Sequence, residues 1–158
     1  MKRFSLILLA ALLAALALAP AASAVIKINK CMAGIQLRMT QQQVRDALGD
    51  PRKINRGRND FSRYTEFVYK PRLRVFFQGN TRVSSISTTS PDERTRKDVG
   101  VGSTEAEVKA GVNRVICETI VGHRSCHRGR FLAGKRVTDF QLNRKGKVKR
   151  VVVAIVID

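Results

Sequence analysis

The sequence predicts an α+β fold of two tandem repeats, each a short helix followed by an antiparallel sheet. Three observations lead there. Gly34 to Pro51 reads as a short extended lead, a capped helix and a Gly-Asp-Pro stop. Val101 to Val108 repeats that form, with Thr104 in the place of Thr40 and Val108 in the place of Val44, an offset of 64 positions (104 − 40). A β-rich hairpin follows each helix, and Phe76 and Phe140 again stand 64 apart (140 − 76). Sequential helix-then-sheet patterns are the signature of segregated helices packed on antiparallel sheets.

The first 24 residues read as a leader outside the fold. Lys2 and Arg3 form a basic start, Ser5 to Ala19 is an apolar run, Pro20 breaks it, and Ala22-Ser23-Ala24 is a small-residue cleavage site. A signal peptide removed after Ala24 is therefore expected, and a secreted or periplasmic chain with it. The apolar run falls short of the roughly 20 residues a membrane span needs, so no transmembrane segment is expected after cleavage. The remainder divides into a first helix–sheet repeat over residues 25–90 and a second over 91–158.

Val25 to Lys30 reads as a short strand or a loose leader. In the helix at about 40–48, Thr40 accepts from the amide near Gln43, and the Gln43 side chain reaches back to the Thr40 amide. Val44, Ala47 and Leu48 form its apolar face. Gly49 suits the C-terminal cap, and Pro51 stops the helix. Arg52 to Arg63 reads as a polar loop with one short strand at its start. Three strands follow at Tyr64–Tyr69, Leu73–Phe77 and Arg82–Thr88, broken by Lys70-Pro71-Arg72 and by a turn at Gln78–Thr81. Ser87 to Lys97 reads as a linker.

In the second repeat the helix spans about 104–111, with Glu107 closing the capping box. Arg114 to Ile120 is apolar and β-branched, His123 to Arg130 reads as a basic turn, and Phe131 as the start of a strand. Val137–Leu142 and Val148–Val156 are strands around Asn143–Lys147. Val151 to Val156 is apolar on both faces, which fits a buried strand joining the repeats.

The residues Ile35-Gln36-Leu37-Arg38-Met39-Thr40, Val44 and Leu48-Gly49-Asp50-Pro51 resemble the helix signature of a group of small exported bacterial domains. The group holds the β-lactamase inhibitor protein and the small lipoprotein of the outer-membrane β-barrel assembly machinery. The inhibitor protein is a tandem of two such units, so the resemblance implies the same arrangement here and a binding rather than catalytic role. Arg38 departs from the glycine usual there, the second copy lacks the Leu-Gly-x-Pro end, and no lipid-attachment cysteine is present. No inhibitory loop residue is carried over.

Charge narrows the partners. The chain carries 30 Lys and Arg against 12 Asp and Glu, a net +18, well above what solubility asks. Such a surplus favours anionic partners. For an exported chain these are an acidic protein or an anionic lipid or polymer of the envelope, and not nucleic acid. Of the three cysteines, Cys117 and Cys126 are expected to form a disulfide across a hairpin or bent strand, leaving Cys31 unassigned.

No constellation for catalysis is found. Cys117, His123, Cys126 and His127 have no familiar zinc spacing, exported cysteines usually oxidise, and the acidic residues are scattered. No catalytic residue, metal or cofactor is expected. The basic clusters interleave with aromatics instead, which suits an interaction surface. Arg63, Tyr64, Tyr69, Arg72, Arg74, Phe76, His123, Arg124, His127 and Arg128 are the partner-binding candidates. The expected function is an exported non-enzymatic binding module, inhibitor-like or otherwise protein-binding. The alternative is a basic envelope protein that holds anionic lipid or polymer.

Overall fold

The computed structural model describes residues 25–69 and 72–157. The predicted leader and the Lys70-Pro71 break lie outside the described residues. In chain order the elements are β1 (Cys31–Met32), β2 (Ile35–Gln36), α1 (Gln41–Leu48), β3 (Lys53–Arg58), β4 (Arg63–Tyr69), β5 (Leu73–Gln78), β6 (Arg82–Thr88), α2 (Glu105–Gly111), β7 (Ile116–Ile120), β8 (His123–Arg128), β9 (Arg136–Leu142) and β10 (Val148–Ile155). β1 and β2 form a two-stranded ribbon. The other eight strands form one sheet in the order β3-β4-β5-β6-β10-β9-β8-β7, antiparallel at every pairing.

The expected α+β fold of two helix–sheet repeats is overturned. The described residues are predominantly β, with 48% of them in strands and 11% in helix. The reason lies in β10. Its residues pair with β6 on one side, Val151 opposite Thr88 and Val153 opposite Ile86. On the other side they pair with β9, Val151 opposite Phe140. A strand apolar on both faces is stabilised most at the centre of a sheet, and here it fuses two four-stranded meanders into a continuous layer. Helices of eight and seven residues are too short to form a layer of their own and sit as plugs on the sheet.

Both plugs are built as the capping boxes require. The Thr40 amide donates to Gln43 Oε1 at 2.9 Å and Thr40 Oγ1 accepts from the Gln43 amide at 3.2 Å. The Thr104 amide donates to Glu107 Oε2 at 2.7 Å, and Thr104 Oγ1 accepts from the Glu107 amide at 3.3 Å. Val44 and Val108, the apolar anchors of the two helices, are both 0% exposed. They share one core with Phe67, Val75, Ile86, Phe140 and Val153. Those strand residues lie on the same side of the sheet by alternation, so both helices cover one face and leave the other without a helix.

The short strand expected at the start of Arg52 to Arg63 is β3, which pairs along its whole length with β4, and as an edge strand it can carry charged side chains into water. Three local expectations are corrected. His123 to Arg128 is strand β8, because buried Ser125, Cys126 and His127 pack while the basic residues stay half-buried or exposed. The Ser87–Lys97 linker is packed: Ser90 and Glu93 are buried, Thr88 Oγ1 donates to Glu93 Oε2 at 2.8 Å, and the Ile26 amide donates to the Arg94 carbonyl at 2.8 Å. Phe131 begins no strand and stands in the loop between β8 and β9. Among the described residues no helix is long and apolar enough to cross a membrane.

Candidate functional site: the open face of the sheet

The pairing registers define the face without helices. One row runs across it as Lys53, Val68, Arg74, Ser87, Val152, Asp139, His127 and Ile116. The next runs as Asn55, Glu66, Phe76, Ser85, Ala154 and Val137. Val68, Phe76, Ser85, Ser87, Val152 and Ala154 are half-buried, Arg74 is exposed, and their neighbours along each strand are buried in the core. An antiparallel sheet with one face packed and one solvated alternates in this way.

The aromatic centre of this face is Tyr64 with Phe76. Their rings stack at 5.0 Å between centroids and 25° between planes, a geometry worth about 1 kcal/mol beyond the area buried. Tyr64 also lies over Gly57 of the neighbouring strand: a Cβ placed there would stand 2.7 Å from the Tyr64 Oη. The missing side chain of Gly57 is what lets the ring lie flat. Beside it, Glu66 accepts from Asn55 Nδ2 at 2.8 Å and from Arg74 Nη1 at 3.2 Å. This fixes the Arg74 guanidinium over the face.

At the far end of the face, His127 is buried. Its Nδ1 stands 3.0 Å from the Gly129 carbonyl and its Nε2 2.8 Å from Glu118 Oε1. Both neighbours are acceptors, so both contacts are satisfied together when each ring nitrogen carries a proton. The Phe131 ring covers the imidazole at 4.6 Å between centroids.

The structure sorts the predicted residues. Tyr64, Arg74, Phe76, His123 and His127 lie on the open face by register. Tyr69, Arg124 and Arg128 lie on the helix side. Tyr69 is buried and its hydroxyl donates to the Gly49 carbonyl at 3.1 Å, which makes it part of the core that seats α1. Arg124 clamps Glu105 of α2 through two bonds of 2.9 and 2.6 Å. With Lys109 also in contact, Arg124 holds the Glu105 carboxyl down at about 2. Arg128 is half-buried at the end of β8. Arg63 is exposed at the start of β4 on the helix-side register, and Arg72 is exposed in the turn before β5 with φ 67°.

Cys117 and Cys126 stand opposite each other in the β7–β8 pairing and are joined as a disulfide; Cys31 is free and buried. Glu105 approaches both sulfurs, but oxidised sulfur supplies no thiolate to a metal. His123 and His127 project from the opposite face of β8, so the four residues first weighed as zinc ligands do not converge. Sequence reading missed the apolar members of the face, Val68, Val152 and Ala154, and the acidic residue at its far end, Asp139. An all-apolar run such as Val151–Val156 carries no phase from which its outward side could be read.

No family model matches the sequence, and no curated protein matches it. Among solved structures, the chain is similar to an extracellular protein containing a SCP domain from Bacillus anthracis str. Ames, with a TM-score of 0.51 and 8% identity over 75% of this chain and 44% of that one. It is also similar to a cysteine-rich secretory protein from Staphylococcus aureus subsp. aureus Mu50, with a TM-score of 0.46 and 12% identity over 75% of this chain and 44% of that one. A third likeness is to the uncharacterized protein yfeY from Escherichia coli, with a TM-score of 0.48 and 14% identity over 80% and 95% of the two chains. The chain thus spans less than half the length of the first two. At such identities the Bacillus anthracis likeness concerns the fold alone.

Proposed function

We propose that this chain is an exported, non-enzymatic binding module that engages a protein partner through the open face of its sheet. The observation that carries the reading is the helix-free face with the stacked Tyr64–Phe76 pair at its centre. Val68, Val152 and Ala154 supply apolar surface beside it, and Arg74 and Arg150 supply charge. Aromatic side chains framed by Arg are the composition that concentrates binding energy at protein interfaces. The Cys117–Cys126 disulfide favours an oxidising compartment outside the cytosol. The helix signature shared with the β-lactamase inhibitor protein makes an exported enzyme one partner to try, though fold alone gives no inhibitory activity.

A second reading rests on the net charge of +18: the chain holds anionic lipid or polymer of the envelope, and screened charge carries the affinity. The two separate by salt and by mutation. Pull-downs from a bacterial envelope fraction are run beside sedimentation with anionic phosphatidylglycerol vesicles, for the wild type and for Tyr64→Ala/Phe76→Ala. A protein retained at moderate salt by the wild type but not by the double variant supports the first reading. Vesicle binding that collapses with salt and ignores the double variant supports the second. If nothing is retained even at low salt, both are wrong.

A further inference from the structure

The far end of the open face holds a cavity distinct from the Tyr64–Phe76 centre. The loop from Gly129 to Lys135 folds beside β8 and β9 and is pinned to the end of β10. There the Gly134 amide donates to the Val156 carbonyl at 2.8 Å, and the Val156 amide donates to the Lys135 carbonyl at 2.9 Å. Between this loop and the strands lies a cavity of about 520 Å³, within the range of small-molecule sites, roughly 300–1,000 Å³. Its apolar lining comes from Ile120 and Phe131, and its polar floor from Ser125, Asp139 and Gln141.

Asp139 is the unusual member. Its Oδ2 accepts from Gln141 Nε2 at 3.2 Å. Its Oδ1 is buried with no hydrogen-bond partner among the described residues. Ser125 is near enough to temper the carboxyl but makes no hydrogen bond of ordinary geometry to that oxygen. Of the basic groups nearby, Arg124 is held by Glu105 at 2.6 Å, and the His127 ring, the cross-strand neighbour of Asp139, spends its Nε2 on Glu118 at 2.8 Å. Lys149 is exposed at the rim. Burial raises the Asp139 carboxyl above its usual range, with Gln141 tempering the rise. Asp139 forms no salt bridge, and a buried carboxylate with a free acceptor oxygen is only partly compensated, which an incoming cation relieves more fully than a neutral donor does.

We propose that this cavity binds a primary ammonium group carried on an apolar body. The Asp139 carboxyl, which lines the cavity, turns its free oxygen to accept from the ammonium while Phe131 and Ile120 cover the hydrocarbon. The same chemistry is offered by a free organic amine and by a lysine side chain of a protein partner. The site stands without the sheet-face reading, because its floor and lining lie at the other end of the face.

The test is a titration of the full chain at physiological ionic strength, followed by amide chemical shifts of Asp139, Gln141 and the Gly129–Lys135 loop. The probes are 2-phenylethylamine, its neutral analogue 2-phenylethanol, its anionic analogue phenylacetate, and N-acetyl-lysine amide. The expected result is saturable binding of the amine at least about tenfold tighter than the alcohol, a difference on the scale of one charge-assisted hydrogen bond. Phenylacetate is expected to bind weakest. Asp139→Asn keeps the side-chain shape and removes a charge that burial disfavours, so it should fold and bring amine and alcohol within about twofold of each other. Phe131→Ala should weaken amine and alcohol alike and keep their ratio. If N-acetyl-lysine amide binds more tightly than the free amine, the natural source is a partner's side chain; the reverse order points to a free amine. The proposal is overturned if the amine binds no better than the alcohol, if its advantage survives in Asp139→Asn, or if Phe131→Ala leaves every affinity unchanged.

Discussion

Reduction of the Cys117–Cys126 disulfide is expected to loosen one edge of the sheet and to lower global stability by a calculable amount. The bridge closes a sequence separation of nine residues. Its constraint on the unfolded chain then amounts to about 2.6 kcal/mol at 25 °C on the loop-entropy model. For a chain of this size that corresponds to a fall in Tm of roughly 10 °C. Location decides where the loss appears first. β7 has a neighbour on one side only, β8, and four of its five residues, Ile116, Glu118, Thr119 and Ile120, are exposed. A strand with so little buried apolar surface opens locally once the covalent tie is cut.

The assay pairs urea unfolding of oxidised and reduced protein with amide hydrogen exchange. Residues 116–120 should lose protection well before β9 and β10 do. A reduced protein whose midpoint moves by less than about 0.5 kcal/mol, with β7 exchange unchanged, would refute the reasoning, since neither loop entropy nor edge position would then matter. Protection lost first on β3, the opposite edge, would refute the placement of the loss at β7 alone.

Three further outcomes follow from single residues. Glu105 titrates at about 2 because Arg124, and then Lys109, hydrogen-bond it. Its folded value lies below the ordinary 4.5, so its contribution is present above that value and lost as pH falls through about 2. Glu105→Gln should therefore destabilise at neutral pH by under about 1 kcal/mol, solvent-screened as surface pairs are, and make no difference below pH 2 in acid-unfolding scans. Asp139 runs the other way: burial raises its folded value, so its ionisation opposes folding at higher pH. Asp139→Asn should raise Tm at pH 7, with the gain shrinking as the pH falls, by calorimetry across pH. Gly57→Val would drive a side chain into the Tyr64 ring, where even a Cβ stands 2.7 Å from the hydroxyl. Loss of near-ultraviolet dichroism from Tyr64, with the rest of the fold intact, is the expected signature.

Local structure was legible where the sequence carries complete local chemistry. Thr40 with Gln43 and Thr104 with Glu107 each contain both halves of a reciprocal cap, so both helices could be placed from a few residues. The Cys117–Cys126 bridge was legible because nine residues around Gly122 suit a hairpin. The fold class was not, because it depends on a pairing between β6 and β10, whose residues Ile86 and Val153 stand far apart in sequence. The apolar Val151–Val156 run pointed to a strand joining the two copies, but no local pattern states that it pairs with β6. β8 was read as a turn because basic residues dominate it, yet backbone pairing decides a strand, and half-buried positions tolerate those side chains. The site was half legible for the same reason. Tyr64, Arg74 and Phe76 were picked out as basic and aromatic candidates, but that they share one face follows from the pairing register, and which face the helices cover is settled by Val44 and Val108.

The arrangement of charge leads to a kinetic expectation that separates the two proposed readings. Much of the basic surplus lies around the open face rather than at its aromatic centre. Lys53 is exposed on edge strand β3, Arg144 and Lys145 on the β9–β10 turn, and Lys149 and Arg150 at the start of β10. Charges at a rim act over a Debye length and steer encounter, whereas stacked rings act only after contact. For an acidic protein partner, raising salt from about 50 to about 500 mM should slow association by tenfold or more and leave dissociation within about twofold. Phe76→Ala should do the opposite, speeding dissociation by roughly thirtyfold if the ring carries about 2 kcal/mol, with association little changed. Surface-plasmon measurements on a captured partner read both constants. If salt speeds dissociation as strongly as it slows association and Phe76→Ala changes neither, charge holds the complex as well as guiding it. The polyanion reading then replaces the protein-binding one.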